Sequence, residues 1–161
     1  MVVIRETVMD DWPALRDIRL AALADAPDAF ASTYASEEGL HAADWRARIA
    51  SGGSFLAYLP DIGASGPAGL AGGYAPEPGI VELVSMWVRP QARGHGVGAA
   101  LIAAVIDWAK VSDATAVHLW VNEANTRARL LYQRCGFAPT GERGPLPSNP
   151  ALTEVGMTRP L

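Results

Sequence analysis

The chain has 161 residues, half of them hydrophobic and 19% charged. That is globular composition, long enough for one independently folding domain over residues 1–161. A formal net charge of −4 without any Lys/Arg run argues against a nucleic-acid partner, and a single cysteine excludes a disulfide framework or a cysteine-rich zinc site.

In chain order, "VVIRET" alternates and predicts an opening strand. Charges from Arg5 onward argue against a signal peptide or membrane anchor, so the expectation is a soluble, cytoplasmic protein without a membrane partner. Asp10 or Asp11 is placed to cap a helix over "WPALRDIRLAALADA", with Pro13 in its first turn. Leu15, Ile18, Leu20 and Leu23 share one face, while Arg16, Asp17 and Asp25 face away. Residues 27–40 read as loop, and "AADWRARIAS" as a helix stopped by Gly52 and Gly53. "SFLAYLP" and "AGLAGGYAP" predict a hairpin around the turn-rich "DIGASGP". "GIVELVSMWV" is the strongest strand, apolar on both faces except at Glu82 and Ser85. A helix from about Val97 to Lys110 and a strand over "AVHLWV" follow. Asn125 is placed to cap "TRARLLYQRC", and Gly136 to stop that helix in a left-handed conformation. "PTGERGPLPSNP" reads as a long loop and "LTEVGMTR" as a closing strand.

The junction "VRPQARGHGVGAAL" carries the chemistry. Alternate glycines, Gly94, Gly96 and Gly98, lie where a strand ends and a helix begins. A helix start has unpaired N–H groups and the positive end of the helix dipole, and bare glycines let a phosphate oxygen approach them. Arg93 adds a cation. The pattern predicts an anion cradle, most simply for a pyrophosphate. It lacks the Gly-Lys-Ser/Thr of a P-loop. It also lacks a Gly-x-Gly-x-x-Gly fingerprint with an acidic residue closing the next strand.

"QARGHG" resembles the acetyl-CoA signature of the GNAT superfamily of N-acetyltransferases, Gln/Arg-x-x-Gly-x-Gly/Ala. "NEANTRARLLYQRCGF" is similar to that family's second signature at Asn125, Ala128, Tyr132 and Gly136-Phe137. The resemblance implies an α/β (α+β) fold: a mixed, mostly antiparallel central sheet with splayed central strands, flanked by helices on both sides. It implies acetyl-CoA as co-substrate, held by backbone of Met86, Trp87 and Val88 and by the cradle Arg93, Gly94, His95, Gly96, Val97, Gly98 and Ala99. Asn125, Ala128 and Tyr132 would line the thioester end.

By the same resemblance Tyr132 protonates the departing thiolate, the N–H of Val88 is placed to stabilise the oxyanion, and Glu82 is the general base. A carboxylate in the middle of an apolar strand is costly unless paired, and burial would raise its pKa. Structural alternatives stay open: Tyr132 as core with Ala128, Leu131 and Cys135, and Glu82 paired to His118 or an arginine. His95 reads as solvated or touching the cofactor, His118 as core or substrate-facing, and Cys135 as an inert thiol. No metal-ligand cluster is evident.

The resemblance assigns the acceptor site to residues 27–40 and 140–151. Phe30, Tyr34, Glu37, Glu38, Trp45 and Glu82 are the candidates for an aromatic, acidic pocket that takes an amine. The implied activity is acetyl transfer to a primary amine of a small molecule, peptide or protein by direct attack in a ternary complex. The alternative is a non-catalytic acyl-CoA sensor, with a nucleotide-binding regulator behind it. The sequence leaves monomer and homodimer open.

Overall fold

The computed structural model describes residues 1–63 and 65–161; Ala64, inside the predicted "DIGASGP" turn, lies outside the described residues. One seven-stranded sheet runs through the molecule in the order β1-β2-β3-β4-β5-β7-β6. Its strands are β1 (Val3–Glu6), β2 (Ser54–Tyr58), β3 (Gly69–Glu77), β4 (Ile80–Val88), β5 (Ala116–Asn122), β6 (Ala138–Leu146) and β7 (Asn149–Pro160). Every neighbouring pair is antiparallel except β4 and β5.

Helices α1 (Trp12–Asp25), α2 (Tyr34–Glu37) and α3 (Ala42–Ala50) cover one face, packing Ile18, Leu23, Phe30 and Trp45 against Leu56, Leu70 and Trp87. Helices α4 (Val97–Val111) and α5 (Thr126–Arg134) cover the other. Val97, Leu101, Ile102, Val105 and Ile106 of α4 are buried against Ala57, Ala71, Val81, Leu83 and Val117. Burying such a side chain is worth about 1.5–3 kcal/mol, so α4, apolar around most of its girth, anchors the core. Among the described residues, no helix is long and apolar enough to cross a membrane.

The parallel pair defines the molecule. β4 and β5 pair only over Ile80–Ala116, Val81–Val117 and Glu82–His118, and then diverge into a wedge. Opposite the wedge, β4 carries a bulge: Gly72 pairs with Val84 but Leu70 with Trp87, and Ser85 takes a positive φ of 60°. A non-glycine residue there costs on the order of 1–3 kcal/mol and persists only where its surroundings hold it.

Four local expectations change. "PTGERGPLPSNP" is not a loop: it forms most of β6, the turn at Pro147–Ser148 and the start of β7, with Leu146 facing Asn149. Its prolines are tolerated because β6 is an edge strand, and a register shift between Pro139 and Arg143, with Gly141 at φ 88°, absorbs its irregularity. Residues 27–40 contain α2, whose first turn is capped where Ser36 N–H donates to Thr33 Oγ1 at 3.2 Å. Asp11 turns back to accept from Val8 N–H at 2.8 Å and does not cap α1. On α1, the buried face is Leu15, Ile18, Arg19, Ala22 and Leu23, whereas Leu20 is half-buried. The remaining helix ends are as expected: Gly52, Gly53 and Gly136, at the stops, have φ of 78°, 72° and 93°, and at the start of α5 Asn125 Oδ1 accepts from Ala128 N–H at 3.2 Å.

Candidate active site

Two cavities open on either side of the wedge. The first, about 730 Å³, lies between the end of β4, the loop before α4 and the first turns of α5. Gly94 and Gly96 have φ of 83° and 79°, and a Cβ on either would point into open space. Gly96 is the left-handed N-cap of α4 and no side chain caps that helix. The first helical bond closes from Ala100 N–H to the Gly96 carbonyl at 3.1 Å, so the amides of Val97, Gly98 and Ala99 point outward unpaired along the helix. Gly98 answers a different need: a Cβ there would lie 3.0 Å from Leu131 Cδ2 and 3.2 Å from Met86 Cε.

Met86, Trp87, Val88, Arg93, Gly94, Gly96, Val97, Gly98, Ala99, Asn125, Ala128 and Tyr132 all line this cavity. His95 is exposed and outside the lining. Backbone direction separates the β4 residues. Arg89 N–H donates to the Ala68 carbonyl on the β3 side at 2.8 Å, so by strand alternation the N–H and carbonyl of Val88 face the wedge. Trp87 turns the other way, its carbonyl close against Gly69 of β3 and its indole Nε1–H donating to Asp25 Oδ2 at 3.0 Å. Arg93 reaches back from the cradle, donating from Nε to the Val88 carbonyl at 3.0 Å and from Nη2 to Asp25 at 3.3 Å. Two cations that sequence reasoning missed, Arg127 and Arg134 of α5, stand exposed at the rim, and among the described residues neither has an ion-pair partner. They lie seven residues apart on one helix face, a spacing visible in the sequence.

The second cavity, about 660 Å³, lies on the α1–α3 side. Phe30, Glu37, Trp45 and Glu82 line it, whereas Tyr34 and Glu38 are exposed and do not. Glu37 is not a free acid. It accepts from Arg19 Nε at 3.2 Å, Arg19 Nη2 at 2.9 Å and Arg48 Nη1 at 2.6 Å. Burial by itself would raise its pKa, but the hydrogen bonds and charge of Arg19, with Arg48 and Ser32, prevail and bring it down to about 2. Arg19 also lies over the Phe30 ring at 4.9 Å and donates from Nη1 to Ser85 Oγ at 3.2 Å, which fastens the strained bulge of β4 to α1. Arg48 lies over the Trp45 ring at 4.5 Å. Arg19 and Arg48 were not singled out from the sequence, yet Arg19 falls in the 15-18-19-22-23 stripe, where a cation signals a buried partner.

On the same face stands Glu82, its side chain 14% exposed. Tyr74 O–H donates to Oε2, and His118 Nδ1 lies 3.6 Å from Oε1. The hydrogen bond to Glu82, then burial and the Glu82 charge, push the Tyr74 pKa up to about 12, so Tyr74 stays a neutral donor. Glu154, also in the lining, is raised by burial and by the charge of Glu82.

Ala29, Met86 and Tyr132 line both cavities. Tyr132 is buried, edge-on to Phe137 at 6.0 Å, and among the described residues no protein group hydrogen-bonds its hydroxyl. Burial, and secondarily Cys135, raise its pKa. The Cys135 thiol is itself raised by burial, away from the thiolate form.

A wedge in a mostly antiparallel sheet, with an uncapped helix aimed into it and a second cavity behind, defines a class. A profile of the Acetyltransferase (GNAT) family matches residues 12–137, and the chain belongs to that family. The fold agrees with a GCN5-related N-acetyltransferase from Kribbella flavida at a TM-score of 0.77 and 29% identity, over 99% of this chain and 98% of that one. It also agrees with yncA from Salmonella typhimurium, a putative acetyltransferase solved with acetyl-CoA, at 0.78 and 20%, over 100% and 94%. An uncharacterized N-acetyltransferase of Methanocaldococcus jannaschii is 40% identical over 58 residues, which is 36% of this chain and 26% of that protein. The mycothiol acetyltransferase of Beutenbergia cavernae is 36% identical over 64 residues, 40% of this chain. The match spans 22% of that enzyme, so the chain covers about a quarter of these curated relatives.

Proposed function

We propose that the protein is an N-acetyltransferase that uses acetyl-CoA to acetylate a primary amine of a small molecule, peptide or protein by direct attack in a ternary complex. The observation that carries this reading is the shared wall: Tyr132 and Met86 belong at once to a phosphate-type cradle and to an acidic, aromatic cavity. The residues present fit the co-substrate. Open space beside Gly94 and Gly96, unpaired α4 amides and the rim cations Arg127 and Arg134 suit a diphosphate, and the edge of β4 beyond its short pairing with β5 suits an amide-bearing arm.

When bound, the thioester supplies an electrophilic acetyl carbon and a sulfur leaving group. The chain supplies the rest. Val88 N–H, facing the wedge, is the donor for the negative charge that develops on the acetyl oxygen. Glu82 accepts a proton from the incoming ammonium, because at pH 7 roughly one lysine-like amine in a thousand or fewer is already neutral. Tyr132 offers its hydroxyl to the sulfur. A phenol near 10 is a weaker acid than a thiol near 8.5, so full transfer from Tyr132 is uphill by about 2 kcal/mol even before burial raises the phenol further. Tyr132 therefore acts chiefly as a hydrogen-bond donor that stabilises negative charge on sulfur.

Thermal unfolding with acetyl-CoA, CoA, ATP and NAD in turn, followed by a primary-amine panel read by CoA thiol release, tests the reading. A ligand at 100 times its Kd stabilises by about 2.7 kcal/mol. A shift with the CoA species alone, together with thiol release, is expected. A shift with ATP or NAD instead would remove the cofactor assignment. CoA binding without turnover on any amine would favour a sensor.

A further inference from the structure

The acceptor cavity has a polar exit that the acetyl-transfer chemistry above does not use. The parallel pairing of Glu82 with His118 sets both side chains on one face of the sheet, where Glu82 lines the second cavity and His118 stands next to it, outside the lining. His118 Nδ1 faces Glu82 Oε1 at 3.6 Å, a small side-chain rotation beyond hydrogen-bond length. Its Nε2 lies 3.0 Å from Glu142 Oε1 on β6. Thr140 Oγ1 donates to that same Glu142 oxygen at 2.8 Å, and Trp120 sits edge-on to the imidazole at 5.3 Å. Beneath them, Gly156 of β7 holds the floor open. A Cβ there would come within 2.6 Å of Thr140 Oγ1, 2.8 Å of Glu142 Oε1 and 3.1 Å of His118 Nε2, so any side chain would break the contact. Exposure rises along the row, from 14% at Glu82 through 18% at His118 to 53% at Glu142.

We propose that Glu82, His118 and Glu142 form a proton exit that carries the proton of the acceptor ammonium from the acceptor cavity to solvent. The proposal rests on the reading of Glu82 as the base. Acetylating a protonated amine yields an amide, a thiol and one net proton, which must leave the cavity at every turnover. The ammonium N–H bond breaks and its proton goes to Glu82; the C–N bond then forms as the C–S bond breaks, and the second nitrogen proton goes to the departing sulfur to give the thiol. Tyr74 holds Oε2 as a neutral donor and has no vacancy for that proton, so Oε1 passes it to His118 Nδ1. The imidazolium then gives its Nε2 proton to Glu142, which loses it to water, and the ring regains its first tautomer by exchange with solvent. The charged and titratable groups around the ring are Glu82 on β4, Glu142 on β6, and Tyr74 and Glu154 through Glu82. Its β7 neighbours, Gly156 and Thr158, carry no charge. His118 is thus a relay acting through Glu82, not a catalytic residue.

Two measurements test it. In the first, His118→Gln and Glu142→Gln are assayed with acetyl-CoA and the best acceptor of the amine panel, across pH and at rising imidazole buffer concentration. His118→Gln is expected to lower kcat about tenfold at low buffer, below the loss typical of a directly acting base, with KM unchanged. Imidazole should restore its rate with concentration, while the wild type stays indifferent to buffer. Glu142→Gln should show the same pattern more weakly. An unchanged kcat, or a loss that buffer cannot restore, would overturn the relay. The second needs no turnover: nitrogen-15 NMR of the ligand-free protein, with His118 assigned by loss of its signals in His118→Gln. The relay requires the Nε2–H tautomer and its weakening in Glu142→Gln; a stable Nδ1–H tautomer would reject it. Absence of wild-type turnover alongside the required tautomer would count against the acetyltransferase reading, and with it against the relay's purpose.

Discussion

The two cavities are built from opposite materials. The cradle is made of backbone: strand edge, glycines and free helix amides, with few side chains except at the rim. The second cavity is made of side chains brought from α1, α2, α3, β3, β4 and β7, and Glu37 in it is already paired to Arg19 and Arg48. Backbone chemistry is the same in every chain that adopts the fold, so the first cavity suits an invariant ligand. Side-chain chemistry varies, and under the proposed function the second is where a particular acceptor would be chosen. Tyr132, standing in both, is where the two must agree.

The sharpest test of that division is at its boundary. Tyr132→Phe should lower kcat by roughly 10²–10³-fold while leaving CoA affinity within about twofold, and Glu82→Gln should lower it by about 10²-fold with the same affinity. Calorimetric CoA binding beside steady-state rates reads both. A large loss of CoA affinity in Glu82→Gln would mean that the cavities are not separate.

Next in size is Arg19→Met, which leaves Glu37 buried with one of its three arginine hydrogen bonds and releases the bulge at Ser85. It should destabilise by about 3 kcal/mol in urea melts and raise the acceptor KM more than the acetyl-CoA KM. A smaller effect concerns the rim. The double variant Arg127→Ala, Arg134→Ala should weaken CoA binding by roughly tenfold at low salt, and by less as salt screens the lost charges. Acceptor KM should not move.

The smallest is a pH effect. The folded Glu37 carboxyl, near 2, lies below its ordinary value of 4.5. The contribution of Glu37 with Arg19 and Arg48 is therefore complete above about pH 4.5 and lost as pH falls toward about 2. Melts through that window should be steeper for the wild type than for Arg19→Met.

How much of this the sequence discloses follows from the same contrast. The cradle was legible because its parts are contiguous: three alternate glycines before an apolar helix state their purpose within a few residues, and Asn125 does so for α5. The wedge followed from the resemblance. The acceptor cavity was half legible, since Glu82 and Phe30 announced themselves by polarity or aromaticity. The partners Arg19, Arg48 and Glu154 are distant in sequence, and only folding makes them neighbours. Tyr34 looked equally suitable but points to solvent, because α2 turns Glu37 inward. β6 was hidden for another reason. Prolines and glycines signal loops in a central segment but are admissible at an edge, and edge position is a property of the sheet.

The hairpin tip at Pro147–Ser148 is fastened to the connection between α1 and α2, where Ser148 Oγ donates to the Phe30 carbonyl and Asn122 Nδ2 to that of Asp28 at 3.2 Å. These bonds close the wedge like a clasp, while the sheet itself crosses from β4 to β5 through only three residue pairs. That three-pair seam is the shortest strand pairing in the sheet, and beyond it both facing edges rely on side-chain packing and the clasp. In amide hydrogen exchange, the facing edges of Met86–Val88 and Leu119–Asn122 should open together, ahead of the flanking strands, and ligand in the wedge should slow both at once.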